Sequence, residues 1–299
     1  MTQRQAVVFA YGGSRRGKEA YEAIPPMLLA RKIEVLDVRL EPTHKALCKN
    51  VKRAIKGGAK LIVVCGGDGS QTHVVPFFAK KSCVLGVVPA GTGNSFALGL
   101  GIPDSFEAAA DAIAYGDEAR VDLGTINGTY FANFVSIGLP AQVAADTPRS
   151  LKSVAGALAY GIAGVVPLMT HKAFRADFRW NGHRVRVRTH QIIIANGRFY
   201  GHQPLAEDAS LVDGRLTVYV RDSTSRLDLL QSYAALLRGD SQTLKGVHLW
   251  STADTVSLRT KARAPVAVDG SLLCKTPVRV GVARKALRVM VPSLSGLPA

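Results

Sequence analysis

The sequence predicts an α/β domain built on a parallel sheet, followed by a second, mainly antiparallel β domain. Three observations carry this. Over roughly the first 120 residues, short apolar runs alternate with segments of helical period. Beyond Val121 the period falls to two, and Asn-Gly pairs appear between strand-forming runs. The chain has 299 residues, 47% hydrophobic and 20% charged, which is enough apolar material for two cores and too much for a disordered chain. No internal repeat stands out, which excludes fibrous and solenoid architectures.

Ala6–Tyr11 and Ile33–Leu40 read as the first two strands. Leu47, Val51, Ala54 and Ile55 recur at helical spacing, and Gly57-Gly58 supplies the stop. Leu61–Cys65 and Val84–Val88 are continuous apolar runs, as expected of strands covered on both faces. Asp104 with Glu107 resembles a cap opening an Ala-rich helix that ends near Tyr115. Hairpin turns are expected at Asn127-Gly128 and Asn181-Gly182. Further strands fall at Leu216–Val220, Val256–Leu258, Val266–Val268, Val278–Val282 and Leu287–Val291, with helices near Val154–Met169 and Leu227–Leu237. The domains are drawn as 1–121 and 122–299, with the last strand free to return to the first domain.

The first site candidate is Gly66-Gly67-Asp68-Gly69-Ser70, directly after Leu61–Cys65. Glycines at a strand end permit positive φ and let backbone N–H groups approach a phosphate. Asp68 suits Mg²⁺, and Ser70 and Thr72 add hydroxyls. A Gly-rich turn with an Asx bond is the plain alternative. The second candidate is Pro89-Ala90-Gly91-Thr92-Gly93-Asn94-Ser95, after Val84–Val88 and before a short apolar helix. Helix N-terminal N–H groups favour anions there, and Thr92 and Asn94 can hydrogen-bond phosphate oxygens. The plain alternative is a helix capped by Asn94 or Ser95. Two such loops on successive parallel strands line one edge, which points to a nucleotide spanning them.

Gly12 to Lys18 has the spacing of a P-loop, but Glu19 stands where Mg²⁺ binding needs Ser or Thr. Pro25 and Pro26 are also expected to interrupt the following helix. A basic loop near the phosphate edge remains, with solvated loop charge as an equal alternative. The third candidate is Asp269 in Val268-Asp269-Gly270-Ser271. It is either a general base or half of an Asp-Gly hairpin turn, and spacing alone favours the turn.

The ordered set GGDGS, PAGTGNSFALGLGIP, VDLGTINGTYFANFVSIGLPAQVA, IIIANGRFYGHQPLAEDASLVDGRLTVYV and VDGSLLCKTPVRVGVARKALRVMVP resembles the diacylglycerol kinase catalytic family, which includes bacterial lipid kinases and the sphingosine and ceramide kinases. The resemblance covers nearly the whole chain. It implies an NAD kinase/diacylglycerol kinase-like α/β domain, a C-terminal β-sandwich, and a nucleotide in the cleft between them. It implies an ATP- and Mg²⁺-dependent kinase that transfers the γ-phosphoryl group to a lipid hydroxyl of diacylglycerol, a sphingoid base or ceramide. Nucleotide contacts then fall on Gly66, Gly67, Asp68, Gly69, Ser70, Gln71 and Thr72, and on Gly91, Thr92, Gly93 and Asn94. Asp68 handles metal and phosphate. Asp269 is the expected proton acceptor, with Asp68 as competitor. A second, structural Mg²⁺ site falls on Asp213, with the carbonyls of Ser210 and Arg215 as neighbours.

The chain departs from the family at four places. Tyr11-Gly12 stands where Asn-Pro is common, His73 and Ser271 where glutamate is usual, and Ser95 where aspartate is frequent. A catalytically weakened nucleotide- or lipid-binding regulator is therefore the alternative reading. A soluble-substrate kinase such as an NAD kinase is disfavoured by the second loop and the late Asp269 segment.

The formal net charge of +16, from 38 Lys and Arg against 22 Asp and Glu, points to an anionic partner. For a lipid kinase that partner is an anionic membrane surface, bound peripherally. Arg184, Arg186 and Arg188 with Arg175 and Arg179 are expected to form a basic strand face, with edge protection as an equal alternative. Nucleic acid is disfavoured, since no recognised module or aromatic-basic interleaving occurs. A homodimer is left open. The N-terminus lacks a signal-peptide pattern, the apolar stretch Ser153–Thr170 reads as a buried or interfacial helix, and the expected location is cytoplasmic, at the inner face of the membrane. Cys48, Cys65, Cys83 and Cys274 form no CxxC pair and are expected to be reduced core thiols. Six other histidines, His44, His171 and His190 among them, show no metal-ligand spacing and are expected to be surface or structural residues.

Overall fold

A computed structural model describes residues 4–146, 171–200, 203–238 and 244–293. The helix expected near Val154–Met169 lies outside the described residues. The chain divides into two compact units, Met1–Val121 with Lys285–Ala299, and Asp122–Arg284.

The first unit opens with β1 (Arg4–Tyr11), α1 (Gly17–Ala30), β2 (Ile33–Glu41) and α2 (His44–Lys56). It continues with β3 (Leu61–Gly66), α3 (Asp68–Phe78), β4 (Val84–Pro89), α4 (Ser95–Gly99) and α5 (Phe106–Tyr115). β1 lies between β2 and β3, and β4 follows β3, all parallel. Every residue of β3 and β4 is buried, as their unbroken apolar runs require. α2 starts at Thr43, whose Oγ1 accepts the Ala46 N–H at 3.1 Å. It ends in a Schellman arrangement: Gly58 at φ 85°, with the Gly58 N–H on Ile55 O and the Ala59 N–H on Ala54 O.

Two expectations for this unit are corrected. Pro25 and Pro26 do not interrupt α1, which runs on to Ala30. The prolines forfeit two backbone hydrogen bonds, but Ala20, Ile24 and Leu28 form a buried stripe at four-residue spacing that keeps the helix on the sheet. The cap of α5 is Ser105, whose Oγ accepts from the Ala108 N–H at 3.2 Å, not Asp104.

The second unit holds the hairpin of β5 (Asp117–Ile126, which enters it from the first unit) and β6 (Thr129–Phe131), then β7 (Phe134–Gly138) and α6 (Leu139–Asp146). It goes on with β8 (Phe174–Trp180), β9 (His183–Thr189), β10 (Gln191–Ala195), the short β11 (Phe199–Tyr200) and β12 (Gln203–Pro204), and β13 (Leu216–Arg221). After the helix Arg226–Arg238 come β14 (Val247–Thr252), β15 (Val256–Thr260), β16 (Pro265–Val268), β17 (Ser271–Lys275) and β18 (Val278–Val291). One antiparallel sheet runs β14-β13-β10-β7-β16-β17. A second sets β9, β8, β15 and the first half of β18 side by side. Val135, Ile192, Val218 and Val266 of the first meet Phe178, Val187, Leu258 and Val280 of the second in one buried cluster, which makes the unit a β-sandwich.

β18 is a single strand of 14 residues where two were expected. The pattern breaks at Ala283–Ala286 because Lys285 takes a positive φ of 51° inside the strand. The far end of β18 belongs to the first unit, where Val289 pairs in parallel with Leu85 of β4. Cys65 and Cys83 are buried, and burial pushes the Cys83 thiol up to about 12; Cys48 and Cys274 are only half-buried.

Candidate active site

β3 and β4 are parallel neighbours in the register Gly66 to Pro89, so the loops that follow them emerge side by side. The Ala90 N–H donates to Gly66 O at 3.1 Å. The loops then touch backbone to backbone, since a Cβ built on Gly67 would lie 2.8 Å from the Gly91 Cα. A Cβ on Gly93 would lie 2.6 Å from Asp68 Oδ2. None of Gly66, Gly67, Gly69, Gly91 and Gly93 has positive φ. Glycine is needed at 67, 91 and 93 for close approach, which corrects the expectation of left-handed backbone here.

Asp68 fastens the pair. Its Oδ1 accepts the Phe96 N–H at 3.1 Å and its Oδ2 accepts the Ser95 hydroxyl at 3.1 Å. Asn94 shapes the second loop from within. It is 3% exposed and left-handed at φ 51°; its Oδ1 accepts the Gly91 N–H, and its Nδ2 donates to Gly91 O and Asp104 Oδ1. Both amide hydrogens are thus committed inside the protein, which leaves the loop's outward chemistry to Thr92 and the backbone. α4 is a single turn of five residues, so α3 offers the larger helix dipole at this edge. Ser70 and Gln71 are buried, and Ser70 Oγ has no hydrogen-bond partner among the described residues.

The loop after β1 is laced to both. Ser14 Oγ accepts the Gly67 N–H at 3.4 Å, the Arg16 N–H donates to Ala90 O, and Arg15 Nε donates to Gly91 O at 3.2 Å. Arg15 also lies 3.5 Å from Asp104 while remaining about half exposed. Arg16 turns away to Glu19 and over the Phe106 ring. The P-loop lookalike is therefore a basic third wall of the cradle. Next to it stand three stacked rings: Tyr11 on His44 at 4.1 Å between centroids, and His44 on His73 at 4.3 Å. Two of the family departures, Tyr11 and His73, are joined through a histidine whose spacing gave no sign of it. His73 Nδ1 also meets Gly69 O at 2.5 Å.

In the second unit Asp269 and Gly270 form a two-residue turn between β16 and β17, at φ 44° and 78°. The turn reading is correct, and the side chain does more. Asp269 is 6% exposed, and its carboxylate accepts the N–H groups of Ala132, Asn133 and Phe134 at 3.1, 3.0 and 2.7 Å. Ser271 is exposed at the head of β17. Asp213 does meet Ser210 and Arg215, but through their N–H groups, at 3.1 and 2.8 Å.

Among the described residues no group of three or more His, Cys, Asp or Glu forms a metal cage. The loop edge offers Asp68 and, beside the second loop, Asp104. That fits Mg²⁺ as it is held in phosphoryl-transfer sites, by few carboxylates together with phosphates and water.

Known proteins resemble this chain in sequence and in fold. The description "Diacylglycerol kinase catalytic domain" matches residues 5–126, and "YegS C-terminal NAD kinase beta sandwich-like domain" matches residues 133–291. A diacylglycerol kinase of Staphylococcus carnosus is 27% identical over 283 residues, covering 92% of both chains. One of Staphylococcus aureus is 28% identical over 245 residues, covering 81% of this chain and 78% of its own. A crystal structure of a diacylglycerol kinase from Bacillus anthracis superposes with a TM-score of 0.72 over 97% of both chains at 19% identity, a likeness of fold. With both halves matched in order, the chain belongs to the diacylglycerol kinase family and is a lipid kinase.

Proposed function

We propose that this kinase uses ATP with Mg²⁺ and phosphorylates a lipid hydroxyl, with diacylglycerol as the first acceptor to test because the curated relatives carry that name. The observation that carries the reading is the fused pair of loops at Gly67 and Gly91. The loops Gly67–Thr72 and Gly91–Gly93 cradle the phosphates, and Arg15 and Thr92 flank them. Mg²⁺, held through Asp68, supplies charge neutralisation on the phosphates. The acceptor oxygen bonds to the γ-phosphorus, the bond to the β,γ-bridging oxygen breaks, ADP leaves, and the hydroxyl proton passes to a carboxylate. Asp269 is proposed as that acceptor and Asp68 as its competitor. Three amide donors fix the direction of the Asp269 carboxylate. A loose phosphoryl-transfer transition state asks little of its base. The acceptor is met at an anionic membrane surface, to which the +16 chain is drawn.

Labelled ATP offered with diacylglycerol, sphingoid base and ceramide tests this. Labelled phosphatidic acid is expected, with Asp68→Asn at least about 100-fold slower. No labelled lipid from any acceptor would overturn it. A second reading, a weakened enzyme, is favoured by the exposed Ser271 in place of glutamate and by the His73 stack. In the same assay Ser271→Glu would then raise turnover, whereas an already fast wild type ends that reading.

A further inference from the structure

The sandwich sheet of β9, β8, β15 and β18 has two unlike faces. One is core. The register shows what lies on the other. Arg184, Arg179, Ser257 and Arg279 form one row across all four strands. Arg186, Asp177 and Arg259 form the next, and Arg188 pairs with Arg175 in a third. All seven arginines are exposed. The rows therefore gather seven guanidinium groups and one carboxylate on a plate about 15 Å across, at roughly 4.8 Å per strand. The hairpin arginines expected from sequence are only part of it: Arg259 and Arg279 lie 70 residues or more further along the chain and join the plate only through strand pairing.

Asp177 organises the centre. Its carboxylate accepts from Arg184 and lies 3.4 Å from Arg179 and 3.5 Å from Arg186. Hydrogen bonds from these arginines, Arg184 above all, hold its carboxyl well below the usual carboxylate range. Arg175, Arg188, Arg259 and Arg279 have no side-chain hydrogen bond or ion pair among the described residues. Edge protection alone does not account for this arrangement. Charge at an edge guards β9, whereas Arg259 and Arg279 sit on interior strands.

We infer that this plate is the surface on which the kinase docks to an anionic bilayer, with its guanidinium groups on lipid phosphodiesters. The inference rests on the acceptor being a membrane lipid. The match is one of shape and charge. Within the three rows the face carries only arginine, serine and aspartate, so it has no aromatic platform for unstacked bases. Guanidinium forks pair with phosphate in two-point contacts. Charges this close lie within about one Debye length, about 10 Å at 0.1 M salt, so they act together and weaken together as salt rises.

The test is co-sedimentation of the full chain with vesicles of phosphatidylcholine alone and of phosphatidylcholine with phosphatidylglycerol, at low and high salt. Binding is expected only with phosphatidylglycerol and is expected to fall at high salt. Arg186→Gln, Arg188→Gln and Arg259→Gln combined should weaken it at least tenfold, and the corresponding lysine triple variant should keep most of it. Phosphorylation of diacylglycerol in neutral detergent micelles, run in parallel, should be unchanged in both. Thermal melts check that the variants fold, and the lysine variant gives a second comparison if the glutamine one does not. Vesicle binding unchanged in the glutamine variant, equal binding to phosphatidylcholine alone, or tighter binding to duplex DNA than to the vesicles at the same salt would overturn the docking surface. Vesicle binding that behaves as expected without micellar activity would overturn the acceptor reading and leave the docking surface standing.

Discussion

The glycines of the cradle and those of the sandwich hairpins serve opposite ends. In the first unit, Gly67 and Gly91 have ordinary φ values and almost touch, so each is glycine because its neighbour's backbone fills the place of a side chain. In the second unit, Gly128 and Gly182 have positive φ of 87° and 78°, with nothing within 4 Å of where a Cβ would stand. They are glycine because type I′ turns ask for a left-handed residue. The same letter in a motif therefore records crowding in the cradle and backbone hand in the two hairpins.

Substitution separates the two. Gly91→Ala should have the largest effect. A methyl driven into the Gly67 backbone forces the loops apart, so activity should fall at least about 100-fold and stability by about 1–3 kcal/mol. Turnover with saturating ATP and a thermal melt measure both, and near-normal activity would break the comparison. Gly182→Ala should cost only about 1–2 kcal/mol, through backbone strain, with turnover on micellar lipid unchanged. A loss of activity there would mean that the hairpin does more than turn.

The smallest effect sharpens the contrast through pH. His171 and His190 lie in the second unit with ring centroids 5.5 Å apart. Burial, aided by His190, pushes His171 down to about 4, and burial also lowers His190. The folded state thus keeps these rings neutral while the unfolded chain takes up protons below about 6.5. Stability is expected to be full above that pH and to decline as pH falls toward 4. Melting temperature against pH should show the slope, and His171→Gln should flatten it.

Much of the site was legible because it follows from chain-local signals. Unbroken apolar runs gave β3 and β4, and the glycine loops came directly after them. What was not legible depends on contacts distant in sequence. Pro25 and Pro26 argue locally against a helix that a buried stripe sustains. Asp104 looked like a cap until Arg15 and Asn94 were seen to meet it. The stack of Tyr11, His44 and His73 joins residues from three separate elements, and no spacing rule reports such a meeting. Asp269 was posed as either turn or functional carboxylate, yet a turn residue also has a side chain, and this one gathers three amides from residues 132–134.

The contact between Gly67 and Gly91 also bears on how such a chain can change over generations. Most steric damage in a protein can be relieved by trimming the neighbour. Here the neighbour is already the smallest residue there is, so an enlarged side chain at either position has no second-site remedy on the facing loop. The two motifs, more than 20 residues apart in the chain, are thus coupled through one backbone contact.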